Sequence, residues 1–239
     1  NGVFQDVGVS IGAIDLKRVV RRKMSKQKHN THRPRKDNRY LIGRKYSDFL
    51  IYMEKNPNAK VVEMDTVYND VSNGPFLQTF KFRQYDLLIC IYQTVKDSLH
   101  MLDGILLLEE ILGKEMFEKE VEVILTDRGS EFILAEEAEI REDGTRRTRM
   151  FYCDSMASWQ KGSLENVHLL VREICPKGCD LHALGLTSQE KANLISIHIN
   201  SYPKEKLHGR SSIQLLHFYN EEMAKRLHDF GITEIPPDE

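Results

Sequence analysis

The rhythm of apolar and polar positions changes at residue 59. Ahead of it, residues 16–40 (LKRVVRRKMSKQKHNTHRPRKDNRY) are polar with almost no apolar period and read as an extended or disordered segment. Residues 43–59 (GRKYSDFLIYMEKNPNA) predict a short amphipathic helix that Asn56-Pro57 ends. From Ala59 on, strand and helix patterns alternate. Val62, Met64 and Thr66 alternate with Glu63 and Asp65, which predicts a strand carrying Asp65 on one face. FLQTFKF (76–82) and LLICIY (87–92) follow at hairpin distance, the second apolar throughout as in a strand buried on both faces. Val95, Leu99, Leu102 and Leu106 predict the sheet-facing stripe of a helix over 95–117. VEVILTD (121–127) is a strand ending on Asp127 before the break at Gly129. A short helix over 131–142, a fifth strand over 147–154 and a helix reaching about Ile174, closed by Pro176 and Gly178, complete the series. In that last helix Leu164, Val167, Val171 and Ile174 form one face, and Lys161, Glu165, His168 and Arg172 another, so Glu165 projects from an anchored helix. The order predicts an α/β protein with a mixed central sheet of about five strands and helices on both faces.

Charge divides the chain more sharply than hydropathy does. Residues 1–46 hold 13 lysines and arginines against three acids; the remainder holds 21 against 33. A basic arm on an acidic body suits a protein that grips a polyanion with one part and concentrates carboxylates in another. The arm's clusters (Arg21, Arg22, Lys23, and then Arg33 and Arg35) are candidate DNA contacts, against the alternative of a solvated linker. The expected organisation is a basic arm at 1–58, an α/β domain at 59–219 and a C-terminal helix with an acidic tail at 220–239. No apolar run reaches the roughly eighteen residues of a membrane span, and no signal peptide is legible at the start. The start also lacks an initiator Met, so a fragment is expected. Cys175 and Cys179 could be half of a zinc site, but no second Cys/His pair with suitable spacing accompanies them; free thiols in a reducing cytosol are the expectation.

Three lone acids stand in distinctive phrases: Asp65 in VEMDTV, Asp127 in VILTDRGSEF, and Glu165 in RTRMFYCDSMASWQKGSLENVH. With PKG (176–178) and HINSYPKEKLHGRSS (198–212), these phrases resemble the bacterial insertion-sequence transposases of the DDE class, specifically the IS-thirty family, over nearly the whole chain. The resemblance implies a ribonuclease H-like integrase catalytic core acting in the bacterial cytoplasm, at the nucleoid. It carries Asp65, Asp127 and Glu165 over as a catalytic, metal-binding triad holding two Mg²⁺ ions, with Mn²⁺ as a substitute. It also implies a homo-oligomer acting on double-stranded DNA, at element ends and target. Hard divalent ions take carboxylate oxygens, and a two-metal site needs no Cys or His cluster. Two alternatives stay open: a ribonuclease H-type nuclease without strand transfer, and an inactive DNA-binding relic.

The chain departs from its relatives at Arg128, where they read Asn; this guanidinium could pair with Asp127 or point outward to a phosphate. The proline that relatives tend to carry after HGR is absent, and the family's N-terminal helix-turn-helix is missing or reduced to a remnant in residues 1–15. Lys161, His168, Arg172, Lys177 and Arg210 are further candidate DNA contacts. His168 has two other readings, orienting Glu165 or lying on the surface. Asp154 is expected to cap the turn that follows it or to support the site from behind. Trp159, the single tryptophan, is expected as a packing plug rather than a base-stacking platform.

Overall fold

The computed structural model describes residues 38–69 and 74–235. Helix α1 (Tyr46–Lys55) precedes strands β1 (Val61–Val67), β2 (Phe76–Phe82) and β3 (Leu87–Gln93). Helices α2 (Ser98–Leu112) and α3 (Lys114–Glu120) lead to β4 (Val123–Thr126), and the short α4 (Ala135–Glu139) leads to β5 (Arg149–Tyr152). Helices α5 (Gly162–Ile174), α6 (Gln189–Ser201), α7 (Ser212–Tyr219) and α8 (Glu221–Asp229) follow. The strands make one sheet in the order β3-β2-β1-β4-β5. β1 pairs antiparallel with β2, and β2 with β3, while β1–β4 and β4–β5 are parallel. This is the mixed five-stranded sheet expected from the sequence. The candidate arm residues Arg21, Arg22, Lys23, Arg33 and Arg35 lie outside the described residues. Residues 38–55, assigned to the arm on sequence grounds, belong to the folded body: Phe49 of α1 packs with Val123, Leu125 and Phe151.

β1 is the middle strand, and its alternation divides the core. Val62 and Met64 face the large cluster with Phe80, Ile89, Ile105, Phe117 and Leu227. Val67 faces the opposite side, with Leu77 and Leu88 under α5 and α6. Val61 shares that second face by parity but packs with Val123 and Leu125 under α1. Glu63 and Asp65 therefore stand between two separate apolar clusters on one face of the sheet. Asp127, in step with Val123 and Leu125, arrives at the same strip.

Two elements depart from their expected form. The 95–117 helix breaks at Gly113, whose positive φ of 74° suits glycine, giving α2 and α3. The buried face of α2 is Met101, Ile105, Leu108 and Leu112, while Val95, Leu99 and Leu106 are exposed. The ILLLEEIL run offers apolar residues at both registers, so periodicity alone could not choose between them. Gly104 decides it: a Cβ there would lie 1.9 Å from Gln78 Oε1, so only this face can approach β2 so closely.

Helix α6 covers the free edge of β3 with polar side chains. Asn200 Oδ1 accepts from Leu88 N at 2.8 Å, and Asn200 Nδ2 donates to Leu88 O at 2.6 Å. Ser196 Oγ accepts from Cys90 N at 3.0 Å, and Gln189 both accepts from Tyr92 N and donates to Cys90 O, at 2.9 Å each. Backbone groups that a further strand could pair with are thus satisfied inside the molecule. Replacing Asn200 by Leu adds apolar surface but orphans a buried N–H and a buried C=O. Urea titration should show a loss of about 2–4 kcal/mol, because each unmade buried bond costs about 1–3 kcal/mol. An unchanged stability would mean that the edge does not depend on this side chain.

Candidate active site

The site is built on β1, the end of β4 and the segment entering α5. Glu63, fully buried, is the anchor: its Oε2 accepts the backbone N–H of Leu164 at 2.5 Å, and its Oε1 is 2.6 Å from the Arg83 guanidinium. Leu164 N–H is one of the first-turn donors that a helix cannot satisfy internally, so a carboxylate here gains both a hydrogen bond and the favourable end of the helix dipole. The helix is held at three further levels. His168 Nε2 lies 3.0 Å from Thr79 Oγ1, and Arg172 reaches Tyr68 O at 3.1 Å and Asn69 Oδ1 at 2.7 Å. Lys161, in the turn just before α5, reaches Asp65.

This last contact organises the acids. Lys161 Nζ is 2.8 Å from Asp65 Oδ2, 3.3 Å from Met64 O and 3.9 Å from Asp127 Oδ2, on a residue only 4% exposed. Each aspartate turns its other oxygen to a backbone donor, Asp65 Oδ1 to Thr66 N and Asp127 Oδ1 to Gly129 N, both at 2.7 Å. A Cβ at position 129 would lie 2.9 Å from Asp127 Oδ1 and 2.6 Å from Glu131 Cδ, so the turn after Asp127 takes glycine for lack of room. Burial would lower the Lys161 pKa, but Asp65 and Asp127 more than offset it and the net shift is upward. Desolvation raises the Asp127 pKa, with Asp65 and Glu131 pushing the same way against Lys161 and the Gly129 N–H.

Two of the three expected acids therefore converge, from neighbouring parallel strands. Glu165 stands on the exposed side of α5's first turn, and among the described residues no group of three His, Cys, Asp or Glu is arranged to hold a metal ion. The pair fits a hard cation nonetheless: both donors are carboxylate oxygens, and both already approach a single positive charge.

Several other placements differ from the sequence reading. Lys161 was expected on an open face as a phosphate contact and is instead buried between the acids. His168 and Arg172, expected likewise, turn to β2 and to the residues just after β1. Lys177 and Arg210 are exposed, as a phosphate contact requires, and Arg210 sits beside Lys204 and Lys206, which are both paired to Asp86. Arg128 pairs with Asp154 at 2.7 Å and with Cys153 O at 3.0 Å, not with Asp127. Asp154 caps no helix; it joins Arg128 and the Gln160 side chain. Trp159 is no packing plug: it is 71% exposed and touches Tyr46 edge-on, with ring centroids 6.2 Å apart. Cys175 is buried under α5 and Cys179 is exposed. Sequence reasoning missed Glu63 and Arg83; the one available signal was an acid two positions before Asp65, hence on the same strand face.

No protein-family profile matches the chain. Over 90 residues it is 34% identical to the transposase for insertion sequence element IS1086 of Cupriavidus metallidurans, covering 38% of this chain and 24% of that protein. The chain thus spans about a quarter of the curated relative it matches. Among solved structures it is similar to the BIV integrase catalytic core domain, at 15% identity and TM-score 0.46, over 70% of this chain and 97% of that one. It is similar also to the HTLV-2 integrase catalytic core domain in complex with magnesium, at 15% identity and TM-score 0.41, over 65% and 94% of the two chains.

The His168 contact has a pH consequence. Thr79 donates its hydroxyl hydrogen to Asp65 O at 3.1 Å, so it accepts from His168, which carries its proton on Nε2. Burial first, then Lys161 and Arg172, lower the imidazole pKa from 6.5 to about 4 against the pull of Asp65 and Glu165. The folded protein keeps this ring neutral where the unfolded chain protonates it. Stability should therefore fall as pH drops from 6.5 towards 4, with this group contributing a slope of up to about 1.4 kcal/mol per pH unit. Denaturant titrations of wild type and His168→Gln across that window should show the flatter profile for the variant; parallel profiles would place the titration elsewhere.

Proposed function

We propose that the chain carries the catalytic core of a DDE transposase, performing metal-dependent cleavage of DNA strands and their transfer to a target. The observation that carries this reading is the convergence of Asp65 and Asp127 on one cation position at the strip between β1 and β4. In open α/β sheets such positions, near the carboxyl ends of parallel strands, are where reactive groups gather. The likeness to an insertion-sequence transposase supports the choice of DNA as substrate. In this reading Asp65, Asp127 and Glu165 hold two Mg²⁺ ions, which supply an activated oxygen nucleophile and charge stabilisation at the phosphoryl group.

The remaining roles belong to the chain itself. Glu63 and Arg83 fix the start of α5, the helix that carries Glu165. His168 and Arg172 keep the helix aligned with β1. Lys177 and Arg210 are free to meet phosphates, and the exposed Trp159 offers a face for stacking on a base. The assembly acts on double-stranded DNA as a homo-oligomer, in the bacterial cytoplasm.

Incubation with pre-cleaved element-end DNA and a supercoiled plasmid in Mg²⁺ or Mn²⁺ tests the reading. Strand-transfer products should form and fall by a factor on the order of 10³ in each of Asp65→Asn, Asp127→Asn and Glu165→Gln, as expected when a group holding the reaction's charge is removed. Hydrolysis without joining would select the nuclease alternative, and binding alone the relic. Because Trp159 is the sole tryptophan, its fluorescence reports directly on contact: DNA should quench it, and full retention of the signal at saturating DNA would remove the stacking role.

A further inference from the structure

We propose that Lys161 is a built-in counter-cation that competes with the divalent metal for Asp65 and Asp127, so that metal enters by displacing an ammonium group. The proposal rests on the metal-dependent reading above and adds how that site is controlled. Lys161 Nζ occupies the point on which the Oδ2 atoms of both aspartates converge, at 2.8 and 3.9 Å. A Mg²⁺ ion would take the same oxygens at about 2.0–2.1 Å, and so competes with the ammonium for Asp65 Oδ2. Nor can the two cations sit side by side without strong repulsion in surroundings this buried. The lysine side chain is equipped to leave: four methylenes carry a single point charge whose third contact, to Met64 O, is a long 3.3 Å.

The position of Lys161 along the chain gives the exchange a consequence. It ends the turn Ser158–Lys161, immediately before α5, and Glu165 lies four residues further on. The ammonium leaves the aspartate pair one negative charge in excess, which repels a third carboxylate, in keeping with the exposed place of Glu165. A doubly charged ion at the same point would cancel the charge of both aspartates and remove that repulsion. Without either cation the two aspartates would repel, so Lys161 also holds the site together between metal-bound periods.

Wild type, Lys161→Met and Lys161→Arg should be compared by Mn²⁺ titration, read by electron paramagnetic resonance, and by thermal unfolding in EDTA and in Mg²⁺. Removing the competing charge should tighten Mn²⁺ binding of Lys161→Met by about tenfold. It should also lower the melting temperature in EDTA and enlarge the gain on adding Mg²⁺. Lys161→Arg, which keeps the charge, should bind no better than wild type. A lysine with a merely structural role would lower stability without raising metal affinity, so equal or weaker binding by Lys161→Met overturns the proposal. If wild type and Lys161→Met both bind no Mn²⁺, the metal-dependent reading falls, and the competition with it. Should the variants not fold, acetylation of the wild type decides: Lys161 should be protected in EDTA and labelled several-fold faster in saturating Mg²⁺. Unchanged labelling with metal bound would overturn displacement.

Discussion

Helix α5 meets β1 through Val67 at one end and through the buried carboxylate of Glu63 at the other, and it is Glu63 that fixes the helix start. A charge in the middle of a sheet face is costly unless paired and hydrogen-bonded. Here Arg83 supplies the pair and the first turn of α5 supplies the hydrogen bond, so neither the acid nor the helix terminus is left unsatisfied. The arrangement also fixes register. With Leu164 at Glu63, His168 meets Thr79 beside Asp65, and Arg172 meets Tyr68 and Asn69 beyond the strand's end. The helix therefore runs along β1 in the strand's own direction, and Lys161, in the turn before it, extends its side chain forward to Met64 O and Asp65.

The sheet on which it rests is closed off by the same means. β3 would be an open edge, and α6 meets it with Gln189, Ser196 and Asn200, residues spaced so that one helical face follows the strand. The polar groups lie inside and are satisfied in pairs, with Leu88 giving both its N–H and its C=O to a single asparagine. A rigid β3 and β2 then hold Thr79 and Lys81 against β1, which keeps the Asp65 side of the sheet from shearing.

These contacts explain what the sequence disclosed. The five strands and α5 were legible because their burial follows simple periods: alternation in β1, an apolar run in β3, and the stripe of Leu164, Val167 and Val171. Helix α6 was not, because the face it turns inward carries Gln189, Ser196 and Asn200, which a hydrophobic pattern counts as solvent-facing. The register of α2 was lost for the opposite reason, an excess of leucine. Among the site residues, Asp65 and Asp127 could be picked out from their phrases, whereas the role of Lys161 depends on the turn at Ser158–Lys161 folding it beneath the sheet face. Trp159 was misjudged because composition favours burying tryptophan, while the turn that buries Gln160 and Lys161 leaves its neighbour outside. Arg128 drew attention by adjacency to Asp127, yet successive residues leaving a strand point to opposite sides, and its guanidinium finds Asp154 instead.

The distribution of charge around the site points to the same pair of acids from another direction. Glu63 has Arg83, Glu131 has Lys96, and Asp154 has Arg128, each acid with its own base. Asp65 and Asp127 share one, Lys161, which is close to the first and distant from the second. Among these neighbouring acids they are the ones short of positive charge, and burial first, then the neighbouring Asp65, shifts the Asp127 pKa upward against the pull of Lys161. Asp127 keeps 48% of its side chain exposed, so solvent carries part of this under-compensated charge. Its retention beside a movable ammonium is what a site requires if it is to accept a cation of higher charge, and the neighbouring acids, already neutralised in place, leave such an ion only one position to enter.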